Sequence, residues 1–78
     1  MNRVTIYSKP DCHLCDVMKQ IVQKVRRRRE FELEIRNILD DLADFEKYQT
    51  LIPLLLVNGS EIARYRIRED QLEAALRE

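Results

Sequence analysis

The only two cysteines of this chain stand in one tetrapeptide, Cys12-His13-Leu14-Cys15, at the point where a strand pattern gives way to a helical one. No other feature restricts the fold as much. Residues 3–7, Arg3-Val4-Thr5-Ile6-Tyr7, are β-branched and aromatic enough for a strand, and Ser8, Lys9 and Pro10 end it. From Leu14 onward Val17, Met18, Ile21, Val22 and Val25 recur at helical spacing, forming one apolar stripe on a helix that runs to about Arg28. A strand must therefore feed directly into the first turn of a helix that carries both sulfurs. A C-x-x-C at such a junction reads as a thiol redox centre.

Sulfur chemistry explains why that place suits the pair. The thiolate, not the thiol, attacks a disulfide, and a free cysteine at neutral pH is mostly protonated. The first N–H groups of a helix lack partners and the positive end of its dipole points outward, so a Cys12 thiolate is stabilised there. Cys15 follows about one helical turn later, within reach of a mixed disulfide formed at Cys12. The first sulfur attacks and the second releases the substrate. Lys9 and a protonated His13 favour the thiolate, whereas Asp11 and Asp16 oppose it. A helix terminus contributes about 0.3–1 kcal/mol per favourable charge, and a pKa unit is worth about 1.4 kcal/mol, so a moderately activated thiol is expected. Lys9 is the better placed to assist the thiolate or to meet a substrate carboxylate. His13 is expected to be an exposed first-turn residue, with modulation of Cys12 as its other reading. A structural staple explains the pair poorly, because a Cys12–Cys15 bond closes the shortest practical loop and is worth only about 2 kcal/mol before strain.

The chain has 78 residues and 45% apolar content, enough for one small domain, 1–78, with little core to spare. Acidic and basic side chains balance at 14 each, so nothing points to nucleic acid as a partner. The signs are segregated, however: residues 1–29 are mostly basic and residues 30–51 mostly acidic. Arg26-Arg27-Arg28-Arg29 falls in the last helical turn, where cations suit the dipole; a solvated helix end is expected there, against a docking patch for an acidic partner or nucleic acid. Met1 leads almost at once into the strand pattern, with no basic-then-apolar leader, and the longest apolar run, Leu51 to Val57, is far too short to span a bilayer. No membrane association and a cytoplasmic location are the expectation.

Phe31-Glu32-Leu33-Glu34-Ile35-Arg36 alternates strictly, which predicts an edge strand with Phe31, Leu33 and Ile35 toward the core. Asp40 is the predicted N-cap of a short helix carrying Leu42, Phe45 and Tyr48. Leu54–Val57 predicts a central strand, and Asn58-Gly59 a hairpin returning along residues 62–67. On that strand Arg64 and Arg66, followed by Arg68, share a solvated face, while Ala63, Tyr65 and Ile67 share the other. Residues 69–77 close the chain as a helix burying Leu72, Ala75 and Leu76. The predicted order is βαβαββα, an α/β fold with a four-stranded mixed sheet flanked by three helices.

That order, with C-x-x-C at the first strand–helix junction and Ile52-Pro53 before the third strand, resembles a glutaredoxin of the thioredoxin superfamily. The stretch Ile6-Tyr7-Ser8-Lys9-Pro10-Asp11-Cys12-His13-Leu14-Cys15-Asp16 is similar to the opening of short bacterial glutaredoxin-like proteins, and Tyr48, Ile52-Pro53-Leu54-Leu55 and Asn58-Gly59 continue the likeness. The resemblance implies that Cys12 is the nucleophile and Cys15 the resolving thiol. It also implies a cis Ile52–Pro53 bond whose main chain offers hydrogen bonds to an extended peptide or to glutathione. The chain differs in having Gln49 where a glycine usually follows the Tyr48 position. It also has Tyr65-Arg66-Ile67-Arg68-Glu69-Asp70 near the place of the Gly-Gly and acidic residues with which glutathione-using members bind that tripeptide.

Together these readings predict a thiol-disulfide oxidoreductase that reduces protein or glutathione mixed disulfides. It would use no bound cofactor or metal, take glutathione or another external thiol as reductant, and work as a monomer. Two cysteines and one histidine are too few for an ordinary structural zinc site. The alternatives are a non-catalytic binding module on the same fold and a glutathione-assisted iron–sulfur carrier shared by two chains.

Overall fold

The computed structural model describes residues 1–77. The elements run β1 (Asn2–Ser8), α1 (His13–Arg26), β2 (Phe31–Asn37), a 3₁₀ turn (Ile38–Asp40), α2 (Leu42–Tyr48), β3 (Leu54–Val57), β4 (Ser60–Arg64) and α3 (Glu69–Leu76). The sheet order is β2-β1-β3-β4, with β1 parallel to β2 and antiparallel to β3, and β3 antiparallel to β4. This is the mixed four-stranded sheet with three α-helices that the sequence predicts.

Alternation along β1 divides the interior. Val4 and Ile6 turn to one face, where they pack with Met18, Val22 and Val25 of α1, Leu55 and Val57 of β3, and Leu72 and Leu76 of α3. Tyr7 turns to the other, and joins a smaller cluster of Cys15, Ile38, Ile52, Phe45 and Tyr48. The larger cluster holds the sheet and two helices together; the smaller one surrounds the cysteines. The buried residues of α1 are Cys15, Met18, Val22 and Val25. Val17 and Ile21 lie beside this stripe, half-buried, so the buried face is narrower than the predicted one.

Helix α1 ends at Arg26, about two residues before the predicted stop, and the arginine run has a use that no single-helix reading contains. Arg28 donates to Glu69 and Glu73 of α3 at 2.9 Å each, and Arg29 donates to Glu73 at 3.1 Å. The run is thus divided: Arg28 and Arg29 tie the end of α1 to α3, and are neither a free docking patch nor merely solvated.

Four further predictions need correction. Ile35 pairs with Ile6 across the sheet yet remains 43% exposed on the edge strand, outside the side chains packed on the larger cluster. The cap of α2 is Asp41, whose Oδ1 accepts the Asp44 N–H at 3.1 Å, not Asp40, which ends a 3₁₀ turn. Leu42 is 73% exposed at the start of α2, so only Phe45 and Tyr48 of the predicted trio face the interior. Strand β4 stops at Arg64, because Tyr65 adopts a left-handed φ of 69° that no strand accommodates. Tyr65 consequently leaves the face it was predicted to share with Ala63 and Ile67, which are both buried, and is itself exposed. A left-handed conformation costs a non-glycine residue about 1–2 kcal/mol. Two hydrogen bonds hold it, Tyr65 N–H to Pro53 O at 2.7 Å and the phenol O–H to Thr50 O at 2.8 Å.

The Asn58-Gly59 hairpin forms as predicted, with φ of 52° and 84°. Asn58 also anchors the turn to β1, its Oδ1 accepting the Arg3 N–H at 2.9 Å and its Nδ2 donating to Asn2 Oδ1 at 2.8 Å. Helix α2 ends on Gln49 in an ordinary right-handed conformation, so the missing glycine there leaves no strain.

Hydrogen bonds from Arg28, then from Arg29, hold the Glu73 carboxyl below the usual carboxylate range. Its stabilising effect is complete above that range and is lost as the pH falls through the lowered pKa. Glu73→Gln should therefore lower the melting temperature at neutral pH, with the gap from wild type closing on acidification. Thermal melts across the acid range check this, and a gap that stays constant contradicts it.

Candidate active site

The sheet assembles the site by bringing together two segments far apart in sequence. Tyr7 at the end of β1 pairs with Leu54 at the start of β3, which sets Ile52-Pro53 beside the turn leading from β1 into α1. In that turn Asp11 takes a left-handed φ of 58°, a conformation that a short polar side chain tolerates better than most. The next residue, Cys12, is the N-cap of α1.

Cys12 performs the capping with sulfur. Its Sγ accepts the Cys15 N–H at 3.3 Å, and its carbonyl accepts the Asp16 N–H at 3.1 Å. The positive end of a 14-residue helix is therefore focused on this sulfur, the place the sequence predicts for a thiolate. Cys12 and Cys15 lie at disulfide distance, with Cα atoms 5.2 Å apart. The two are unequally accessible: Cys12 is half-buried, whereas Cys15 is 0% exposed among Ile38, Ile52 and the aromatic residues of the smaller cluster. Outside reagents meet Cys12 first.

The Ile52–Pro53 bond is cis. Among the described residues neither the N–H nor the C=O of Ile52 has a hydrogen-bond partner, although its side chain is packed in the cluster that contains Cys15. Pro53 is buried and its carbonyl accepts from Tyr65. Lys9 and His13 are both exposed, and neither forms a hydrogen bond or ion pair with a described residue. The structure thus brings together Cys12, Cys15, Ile52 and Pro53, and leaves Lys9 and His13 on the rim. Among the described residues no three His, Cys, Asp or Glu side chains converge as a metal site, and no helix is long and apolar enough to cross a membrane.

One contact within the site, between two tyrosines that the sequence singles out separately, has no signal in the sequence. Tyr7 and Tyr48 stack with ring centroids 4.3 Å apart and planes inclined by 29°, against the cluster holding Cys15. The Arg36 guanidinium lies 5.7 Å from the centre of the Tyr7 ring and donates to Asp44 at 3.2 Å. Burial, followed by the neighbouring Tyr48, raises the Tyr7 pKa above the usual phenol value, and Arg36 partly opposes them. These aromatic rings form a wall on one side of the cysteines. The tyrosines meet only through the tertiary placement of α2, so no local spacing reveals them.

A βαβαββα chain with a C-x-x-C capping its first helix and a cis-proline beside it is a glutaredoxin-like protein of thioredoxin fold. The sequence matches the family described as Glutaredoxin-like domain (DUF836) over residues 3–77, and the chain belongs to that family. Protein Ne2328 from Nitrosomonas europaea superposes with a TM-score of 0.80 at 25% identity, over 95% of this chain and 89% of that one. Protein XcR50 from X. campestris gives 0.78 at 28% identity, over 95% of both chains. Thioredoxin 1 from Thermosipho africanus gives 0.64 at 14% identity, over 96% of this chain and 94% of that one, a likeness of fold alone. The fold and the cysteine pair together are compatible with redox function.

The unequal burial gives a direct test. When the reduced protein is treated with limiting iodoacetamide, Cys12 should be alkylated more than about tenfold faster than Cys15, because reactivity follows both thiolate character and exposure. Peptide mapping by mass spectrometry reads the ratio. Equal labelling would contradict the assignment of the buried sulfur.

Proposed function

We propose that this protein is a dithiol-disulfide oxidoreductase that reduces protein or glutathione mixed disulfides. The observation that carries the reading is the asymmetry of the pair: Cys12 caps the helix at the surface, and Cys15 lies buried directly behind it. Only the first can meet a substrate, and only a mixed disulfide formed at the first has its protein sulfur within reach of the second.

The cycle follows from that arrangement. The Cys12 thiolate attacks one sulfur of the substrate disulfide, and the other sulfur leaves as a thiolate that takes up a proton. Cys15, losing its proton, then attacks Cys12 Sγ; the second substrate sulfur leaves and is protonated in turn. The substrate gains two electrons and the protein is left with a Cys12–Cys15 bond. External thiols reduce that bond and restore the dithiol, with glutathione or a reductase-linked dithiol as the two candidate sources. The unpartnered N–H and C=O of Ile52 supply two main-chain hydrogen bonds to hold an extended substrate alongside the sulfurs. Lys9, on the rim, contributes positive charge toward a substrate carboxylate without touching the thiol, and His13 offers its exposed imidazole to the same substrate. The chain works as a monomer in a reducing compartment such as the cytoplasm, with no bound cofactor.

The two cysteines should separate the steps. Cys12→Ser should abolish turnover of a model disulfide, whereas Cys15→Ser should accumulate a mixed disulfide at Cys12 that intact-protein mass spectrometry detects. Undiminished turnover in Cys12→Ser, or an adduct on Cys15 of the wild type, would contradict the mechanism.

A further inference from the structure

A groove of about 340 Å³ opens beside the redox centre, between α1 and the segment joining β4 to α3. Val17 and Ile21 form one wall, Ile67 and Gln71 the other, and Tyr65 and Arg66 stand at its edge. Its volume lies within the range of about 300–1,000 Å³ typical of ligand sites. Tyr65 on its edge donates its N–H to Pro53 O at 2.7 Å, so the groove adjoins the cis-proline segment.

Three observations indicate what it takes. Tyr65 is held in a left-handed conformation by bonds to Pro53 O and Thr50 O, which fixes this aromatic residue to the cis-proline segment while leaving it 43% exposed. Strain maintained by specific bonds in an exposed side chain marks functional positions more often than inert ones. Arg66 is exposed and, among the described residues, its guanidinium has no acidic partner. Its neighbours differ: Arg64 is paired with Glu61 and Arg68 with Asp70. Of these three cations, Arg66 is the one left for a ligand. Finally, Val17, Met18, Ile21, Ile67 and the Tyr65 ring make the lining of the groove largely apolar. An apolar side chain fits such a lining and glutathione has none, so the occupant favoured here is a polypeptide segment.

We propose that this groove binds an acidic, extended polypeptide segment flanking the target disulfide, with Arg66 meeting its carboxylate and Tyr65 and Ile21 covering an apolar residue. The proposal rests on the oxidoreductase reading and names its substrate class: acidic protein disulfides, in preference to glutathione.

The test uses short fluorescein-labelled peptides that differ only in Glu, Gln or Lys beside one leucine, with serine in place of the reactive cysteine. Anisotropy titrations with the whole protein measure binding without redox chemistry. The acidic peptide should bind about five- to tenfold more tightly than the neutral one at low salt, and the advantage should shrink at high salt. Arg66→Glu should invert the order so that the lysine peptide binds best. The kcat/KM ratio of the corresponding cysteine peptides, presented as mixed disulfides, should follow the same order within each protein. Equal affinity for acidic and neutral peptides overturns the proposal, as does an acid preference that survives Arg66→Glu. Displacement of the labelled peptide by glutathione as effective as by unlabelled acidic peptide also overturns it. If the groove is misassigned, all three mixed disulfides are still reduced; if the oxidoreductase reading is wrong none is, and both fall.

Discussion

The hydrogen bond from the Cys15 N–H to Cys12 Sγ is the interaction on which the site depends, and most of the fold serves to keep it where it is. A capping sulfur has chemical value only if the helix end it caps is fixed at the surface and the second sulfur is held beneath it. Met18, Val22 and Val25 achieve the first by packing α1 against Val4 and Ile6 of β1. Ile38, Ile52, Tyr7 and Tyr48 achieve the second by enclosing Cys15. Burying a free cysteine in apolar surroundings makes it inert toward solvent, yet it remains one helical turn from its partner. Two identical side chains thus differ in exposure through their placement, not their chemistry.

Charge is distributed to the same end. The arginines at the far end of α1 are used within the molecule, where Arg28 and Arg29 fasten α3 through Glu69 and Glu73. Near the redox centre the pattern differs. Arg64 and Arg68 are neutralised by close acidic neighbours, and Lys9, His13 and Arg66 remain without acidic partners among the described residues. Lys9 and Arg66 thus leave unpaired positive charge on the side of the cysteine pair and the groove, where Asp11 and Asp16 are exposed as well. The smaller cluster forms the opposite side, with the stacked tyrosines and Arg36 closing it.

Much of this was legible because it is local. The strand before Cys12, the helix after it and the Asn58-Gly59 turn each follow from a few adjacent residues, and the structure contains all three. The cysteine pair declared its own position. What the sequence did not disclose depends on distant partners or on backbone geometry. Ile35 alternates like a core residue but stays exposed on the edge strand. Tyr65 alternates like its neighbours until a positive φ turns it away, and nothing in Arg64-Tyr65-Arg66 signals that change. Arg28 and Arg29 look like a helix terminus, because Glu69 and Glu73 lie some forty residues downstream. The same limit hid the tyrosine stack, and the groove beside Arg66.

The central claim is that Cys12 and Cys15 form a reversible two-electron couple, and its most direct test is the reduction potential of the pair. The protein would be equilibrated with glutathione redox buffers, quenched by alkylation, and its free thiols counted by mass. One reversible transition is expected, in which both thiols disappear together, with a midpoint at about −300 to −180 mV, the range of dithiol reductants and their relatives. If no intramolecular disulfide forms at any poise, the catalytic reading is wrong.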